Sequence, residues 1–461
     1  MQINSTYSVR LKSRNHVFDK TVSLYRDAVN FFIHIALENW NTFSSIHGIN
    51  PRLRAMELLT HNTRNNRAKY PFDEKFYKFP SYLRRSAIIM ALGKVDSYKS
   101  NYANWETSEK KNNPPGIPSA GRVFPCLFRE NMYNRIDRYK AQIKVFIRNT
   151  WDWITVSFRK SDGDYINRHC WHMKECAPMF VKRHNQWYLD FCFQQNVKLC
   201  DIDFSNRRIL AVDLGINNAC VCSVMNQDGA VLGRKFLKLP REYDYLDHKL
   251  SHLKGCQRQG SQKLTRQWRR IKEINNGIAA KTAKFIAEAA ILYSVDTVVF
   301  EYLDTSGRKK GSRKQKLALW KKSAVQNMTA NKVHAVGIHV SHINARYTSR
   351  LAFDGSGKVK RGKESKAAGN NYSLCEFVTG KVYHCDLNAS YNIGSRFLIR
   401  EILKTLSAKM RQAIQAKVPD LSRRSTCTLS TLKSLLSALR SPALLSSPLP
   451  AVSGDSEVSN A

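Results

Sequence analysis

Three carboxylates in this 461-residue chain stand where chemistry would need them. Asp213 closes the apolar run Ile209-Leu210-Ala211-Val212 and is followed by Leu214-Gly215. Glu301 closes Thr297-Val298-Val299-Phe300, and Asp386 precedes Leu387-Asn388-Ala389-Ser390-Tyr391-Asn392-Ile393-Gly394. A single acid after an apolar strand is ordinarily a solvated strand end or a helix cap. Three gathered at adjoining strand ends would repel one another unless cations neutralised them. Hard carboxylate oxygens suit Mg²⁺ or Mn²⁺. Two such ions about 3.5–4 Å apart activate a water and stabilise the departing oxygen in phosphodiester hydrolysis. Gly215, lacking a side chain, would admit backbone close to a phosphate.

A second group, His169-Cys170-Trp171-His172 with Cys176, carries soft ligands. Its spacing matches no metal site with a mechanism behind it, and burial or an edge position in a β region is the better reading.

The charge points to a partner. Seventy-five Lys and Arg against 36 Asp and Glu leave a net +39, far beyond what solubility needs. Nucleic-acid backbone is the expected use, because each neutralised phosphate releases counterions. With 43% hydrophobic residues the chain is a folded protein of about three domains and no disordered basic tail. No signal peptide or membrane span is legible, and the best apolar run, Phe31 to Leu37, is interrupted by His34. Eleven scattered cysteines fit a reducing cytoplasm. A membrane partner is not expected.

The elements that must position the acids follow from periodicity. Ile3, Tyr7, Val9 and Leu11 suggest a strand. Phe18, Val22, Tyr25, Val29, Phe32, Ala36 and Trp40 share one helical face, and residues 51–67 and Leu83–Tyr102 read as further helices. From Arg122 to Leu199 the period changes to two, in Val145–Ile147, Trp153–Phe158 and Trp187–Phe193, predicting a small antiparallel β domain that the N-terminal strand completes. Residues 207–400 read as α/β: strands end at Asp213 and Glu301, Cys220–Val224 and Ala230–Leu237 form a hairpin, and Lys263–Tyr293 is a long basic helix. A basic helix extends to about Lys417. The Ser-, Leu- and Pro-rich remainder, 418–461, is expected to be disordered on its own.

With these residues in view, ILAVDLGINNACVC, TVVFEYLD and YHCDLNASYNIG resemble the three RuvC segments of TnpB, the transposon-encoded RNA-guided nucleases related to type V CRISPR effectors. The resemblance extends to about residue 400 and is strongest in the C-terminal half. It implies that Asp213, Glu301 and Asp386 are the catalytic, metal-binding triad. It also implies an RNase H-like (RuvC) α/β nuclease domain at 207–400, with a degenerate zinc-ribbon region at 350–385. A wedge-type β-barrel at 1–14 and 121–206 would carry a helical recognition insertion at 15–120, and 401–461 would be a basic helix and tail. Many relatives carry paired CxxC motifs after Tyr347-Thr348-Ser349. Here only Cys375, His384 and Cys385 remain, so structural Zn²⁺ is not expected and strand pairing or mobility is expected in that lobe.

The implied function is an RNA-guided, Mg²⁺-dependent DNA endonuclease of an insertion-sequence-type transposon, with one active site, a guide RNA and a double-stranded DNA target bearing a short adjacent motif. A nuclease-inactive RNA-guided repressor and a type V CRISPR effector are the alternatives. An actin/hexokinase-like ATPase would need a second glycine-rich phosphate loop, which is not found. Oligomeric state stays open. Candidate nucleic-acid contacts are Tyr82, Arg84, Arg85, Lys94 and Lys99 in the helical insertion and Arg266, Arg269 and Arg270 on the long helix, whose Trp268 could stack on a base or pack between helices. Arg308, Lys309, Lys310, Arg313 and Lys314 would form a loop after Glu301.

Overall fold

The computed structural model describes residues 1–12, 16–108, 113–201, 206–215, 218–302, 320–365, 367, 369 and 371–441. The chain divides into two compact units, Gln2–Asn196 and Val197–Ala461 with Met1.

In the first unit β1 (Gln2–Arg10) precedes five helices: α1 (His16–Glu38), α2 (Trp40–Ser45), α3 (Ile49–Thr60), α4 (Phe72–Lys75) and α5 (Ser81–Thr107). Then come β2 (Tyr133–Arg135), β3 (Lys140–Ile147), β4 (Thr150–Ser157), α6 (Lys160–Cys170), β5 (Lys174–Glu175), β6 (Met179–Arg183) and β7 (Gln186–Asn196). The alternation in β7 sends Trp187, Leu189, Phe191 and Phe193 into the core. All nine residues of β1 pair antiparallel with β7, so the N-terminal strand does complete this sheet. α1 buries Phe18, Val22, Tyr25, Val29, Phe32 and Ala36. It is tied to β3 where the amide of Phe146 donates to the Thr21 hydroxyl at 2.9 Å.

The expected β-barrel is corrected. Among the described residues the strands form two open sheets, β1-β7-β5 with β6 on β7, and β2-β3-β4. Single bridges such as Leu11 to Phe158 and Cys126 to Met179 are all that continue the pairing beyond them. β5 is two residues long and β2 three, too short to carry a closing ladder.

The second unit is built on β8 (Arg208–Asp213), β9 (Cys220–Asn226), β10 (Val231–Leu237), β11 (Thr297–Tyr302) and β12 (His339–Asn344). They lie in the order β10-β9-β8-β11-β12; β8, β9 and β10 are antiparallel neighbours, and β11 and β12 run parallel to β8. Between β10 and β11 the chain makes α7 (Pro240–Arg258) and α8 (Thr265–Leu292), and α9 (Lys322–His334) precedes β12. Both sheet faces are covered, which is why these strands read as continuous apolar runs. Leu210, Val212, Val298 and Phe300 meet the alanine- and isoleucine-rich side of α8, with Ala279, Ile286 and Ala290. Ile209, Ala211 and Val299 face α10 (Cys385–Thr405), through Tyr391, Ile393 and Phe397.

α10 lies so close to the sheet that a Cβ on Gly394 would stand 3.2 Å from Ala211 Cβ and nearer still to Met225 Sδ. Gly394→Ala should therefore lower stability: overpacking of about 1–3 kcal/mol outweighs the roughly 1 kcal/mol gained in helix propensity. Urea unfolding checks this, as a lower midpoint at constant slope.

The lobe at 350–385 is a small antiparallel sheet, β13 (Lys360–Arg361), β14 (Leu374–Glu376) and β15 (Val382–His384), over Ala352, Cys375, Phe377 and Cys385, so strand pairing holds it. After α11 (Ala408–Lys417) the expectation of a structureless tail from 418 does not hold through residue 441. There α12 (Leu429–Arg440) buries Leu429, Leu432 and Leu435 and begins with a capping box between Thr428 and Thr431. No described helix is long and apolar enough to cross a membrane.

Candidate active site

Period-two alternation settles where two of the acids point. Asp213 continues the parity of Ile209 and Ala211, and Glu301 that of Val299, so both belong to the face that α10 covers. Val212 is the register partner of Phe300, which puts Asp213 and Glu301 side by side at the carboxyl ends of parallel strands. Asp386 sits in the first turn of α10, the helix laid over that face.

The electrostatics report the same grouping. Burial, then Glu301, then Asp386 drive the Asp213 carboxyl well above the ordinary carboxylate range, with the Arg361 guanidinium opposing them. Glu301, 8% exposed, is raised by burial and held down in part by the Thr348 hydroxyl and Arg396. Each outer acid has a neutral donor. Asn218 Nδ2 donates to Asp386 Oδ2 at 2.8 Å, and Thr348 Oγ1 donates to Glu301 Oε1. Among the described residues no three His, Cys, Asp or Glu side chains converge closely enough to enclose an ion. The set is nonetheless short of positive charge, and all its donors are hard oxygens. That chemistry fits Mg²⁺ or Mn²⁺, with Asp213, Glu301 and Asp386 as the residues able to hold it.

Gly215 has a local reason that the sequence reading did not supply. A Cβ there would stand 2.6 Å from the Asn218 carbonyl oxygen, so glycine permits the close approach of Asn218. Asn218, Thr348 and Arg361 escaped the sequence reading. Tyr347-Thr348-Ser349 was visible as a motif, but no spacing links Thr348 to Glu301 across 47 residues.

The candidate contact residues divide. Tyr82 is 41% exposed and tilts against Phe128. Arg84 is withdrawn: it is buried, its guanidinium against His61 Nδ1 at 3.0 Å and Asp73 at 3.5 Å. Arg85 pairs with Glu57, Lys99 lies 5.9 Å over the Trp40 ring, and Lys94 lines a groove of about 580 Å³ with Tyr98 and Asn101. Arg266, Arg269 and Arg270 line a groove of about 530 Å³ between α7 and α8 with Tyr245, Lys249 and His252. Trp268 packs with the leucines of α7, the interhelical option. Arg308, Lys309, Lys310, Arg313 and Lys314 lie outside the described residues. In the His169 group, His169 stacks on Tyr165 and bonds its carbonyl, Cys170 is buried, and Trp171 is exposed.

The order and polarity of the second unit's sheet, with acids at the ends of its two middle parallel strands, are consistent with a RuvC-type, RNase H-like α/β core. A sequence model of the Aq_aa04 family matches residues 5–147. A TnpB-like protein, aq_aa05 of Aquifex aeolicus (strain VF5), is 26% identical over 261 residues, 52% of this chain and 82% of the relative. The cryo-EM structure of a Cas12f1–sgRNA–target DNA complex shares the fold with a TM-score of 0.54 at 13% identity, covering 82% of this chain and 81% of that one. The chain is a distant relative of the TnpB-like proteins.

Proposed function

We propose that the chain is an RNA-guided, divalent-metal-dependent DNA endonuclease of an insertion-sequence-type transposon, cutting with a single RuvC-like site. The observation that carries this reading is the adjacency of Asp213 and Glu301 at parallel strand ends, with Asp386 close enough to raise the Asp213 carboxyl. Bound metal would supply Lewis acidity and a water acidic enough to attack a phosphodiester. The chain's own part is to hold three carboxylates in one field, with Asn218 steadying Asp386 and Thr348 steadying Glu301. The solved relative's complex with a guide RNA and target DNA supports those partners here, and the charge of +39 supports a polyanion.

Within this reading residues 1–14 and 121–206 form a β part carrying a helical recognition part at 15–120, although the compact unit itself ends at Asn196. The α7–α8 groove holds a sugar-phosphate backbone. Replacing Arg266 and Arg269 with alanine should weaken DNA or RNA binding alike across sequences. The slope of log K against log salt should become shallower by about 1 per lost phosphate contact. Filter binding at several salt concentrations reads it.

A nuclease-inactive RNA-guided repressor is the second reading, favoured by the absence of a converged three-ligand group among the described residues. RNA that copurifies with the protein is sequenced, and a duplex matching its guide is offered with Mg²⁺. Cutting of the matched duplex alone supports the endonuclease; tight binding without cutting would establish the repressor.

A further inference from the structure

The third acidic segment carries two asparagines, Asn388 and Asn392, that no catalytic role uses. Both are fully buried, with Arg396 one turn further along the same face of α10. Three long polar side chains at i, i+4 and i+8 of a core-facing helix carry a desolvation cost unless each is matched. Apart from two Arg396 bonds to the Ser425 and Cys427 carbonyls, their partners are one stretch of backbone, 344–353, while Asn392 Oδ1 goes unmatched. Asn392 Nδ2 donates to the Thr348 and Leu351 carbonyls, both at 2.9 Å. Asn388 Nδ2 donates to the Leu351 carbonyl at 2.8 Å, and the Phe353 amide donates to Asn388 Oδ1 at 2.8 Å. Arg396 Nη1 donates to the carbonyls of Asn344 and Arg346, at 3.1 and 2.7 Å.

What these bonds brace is a turn with backbone bonds of its own, from the Arg350 and Leu351 amides to the Tyr347 carbonyl at 3.1 and 3.2 Å, but with a strained residue at its centre. Tyr347 sits at φ +64°, a left-handed conformation that a bulky residue adopts only when its surroundings impose it. The turn places the Thr348 hydroxyl, 2% exposed, between Glu301 Oε1 and the Ala345 carbonyl. A hydroxyl has one proton, and the carboxylate is both the closer and the stronger acceptor. Thr348 therefore fixes one oxygen of Glu301.

We propose that Thr348 is a positioning residue for Glu301, and that Asn388 and Asn392 clamp the 345–353 turn so that one helix sets two of the three acids: Asp386 from its first turn, and Glu301 through Thr348. This rests on the reading of the acids as a metal centre. The clamp explains why polar residues occupy the buried face of α10 where leucine would pack, and why the Tyr347-Thr348-Ser349 segment folds against the acidic segment rather than away from it.

The test is Mn²⁺ binding to the full-length protein, followed by electron paramagnetic resonance, for Thr348→Val, Thr348→Ser and Glu301→Gln. Removing a hydrogen-bond partner of a metal ligand costs about 10-fold or more in affinity. Thr348→Val, isosteric but without the donor, is expected to weaken Mn²⁺ binding by that factor, and Thr348→Ser to restore it. Should valine itself lower the melting temperature, Thr348→Ala, smaller and also without the donor, is read the same way. If Thr348→Val binds Mn²⁺ like the parent while Glu301→Gln does not, the positioning role is overturned and the metal centre stands. If Glu301→Gln also binds like the parent, the metal centre is overturned and the positioning role falls with it.

Discussion

Asp213→Asn is expected to do two opposite things: abolish cleavage, by about 1,000-fold or more, and stabilise the metal-free protein. The first follows because the carboxylate shares one field with Glu301 and Asp386, where removing a group that stabilises transition-state charge has effects of this size. The second follows from linkage. Burial and two like charges raise the Asp213 carboxyl in the folded chain well above its unfolded value. Between those two values the folded state binds more protons than the unfolded state, so stability falls as pH rises and stays reduced above the folded value. Asparagine has the same shape and nothing to ionise. It should flatten that slope from the ordinary carboxylate range upward and leave the metal-free variant more stable than the parent at neutral pH. Urea unfolding in EDTA across that range checks it. A variant as unstable as the parent at pH 7 would mean that the acids do not repel one another. Saturating Mg²⁺ should narrow the gap, because it stabilises only the parent.

The second large effect belongs to Arg396, and it is read first on stability. Its guanidinium donates to the carbonyls of Cys427 and Ser425 at 2.9 and 2.6 Å, and to those of Asn344 and Arg346. It thereby joins the stretch before α12 to the end of β12. Burial lowers its own proton affinity, to about 10, so it remains charged at neutral pH. Arg396→Met keeps most of the volume but leaves four carbonyls with fewer donors. At about 1 kcal/mol net for each of the four bonds lost, a loss of roughly 4 kcal/mol is expected. A denaturation midpoint reads it directly. Limited proteolysis should cut the 418–441 stretch of the variant well before that of the parent.

These two residues also show what the sequence could and could not disclose. The strand ends were legible because a strand covered on both faces is an unbroken apolar run, and an acid at its end is conspicuous. Asp213 and Glu301 were read from that pattern alone. The pairing of Arg396 with Ser425 and Cys427 was not legible, since nothing local marks a hydrogen bond between segments about 30 residues apart. α12 was missed for a different reason. Its Ser- and Leu-rich composition looks simple, yet Leu429, Leu432 and Leu435 share a face behind the Thr428-Leu429-Ser430-Thr431 cap, a signal that was present in the sequence. Arg84 shows the converse error. A basic residue near a helix start reads as a surface charge, and only the fold brings His61 and Asp73 around it. The expected barrel came from resemblance, and the short strands β2 and β5 did not continue it.

Asp213, Glu301 and Asp386 are proposed to form one divalent-metal centre. Crystals of the protein soaked in Mn²⁺ and measured for anomalous scattering test it most directly. The expected result is a Mn²⁺ peak within bonding distance of all three carboxylates, lost in Asp213→Asn. A peak bound elsewhere, or none at saturating Mn²⁺, would contradict it.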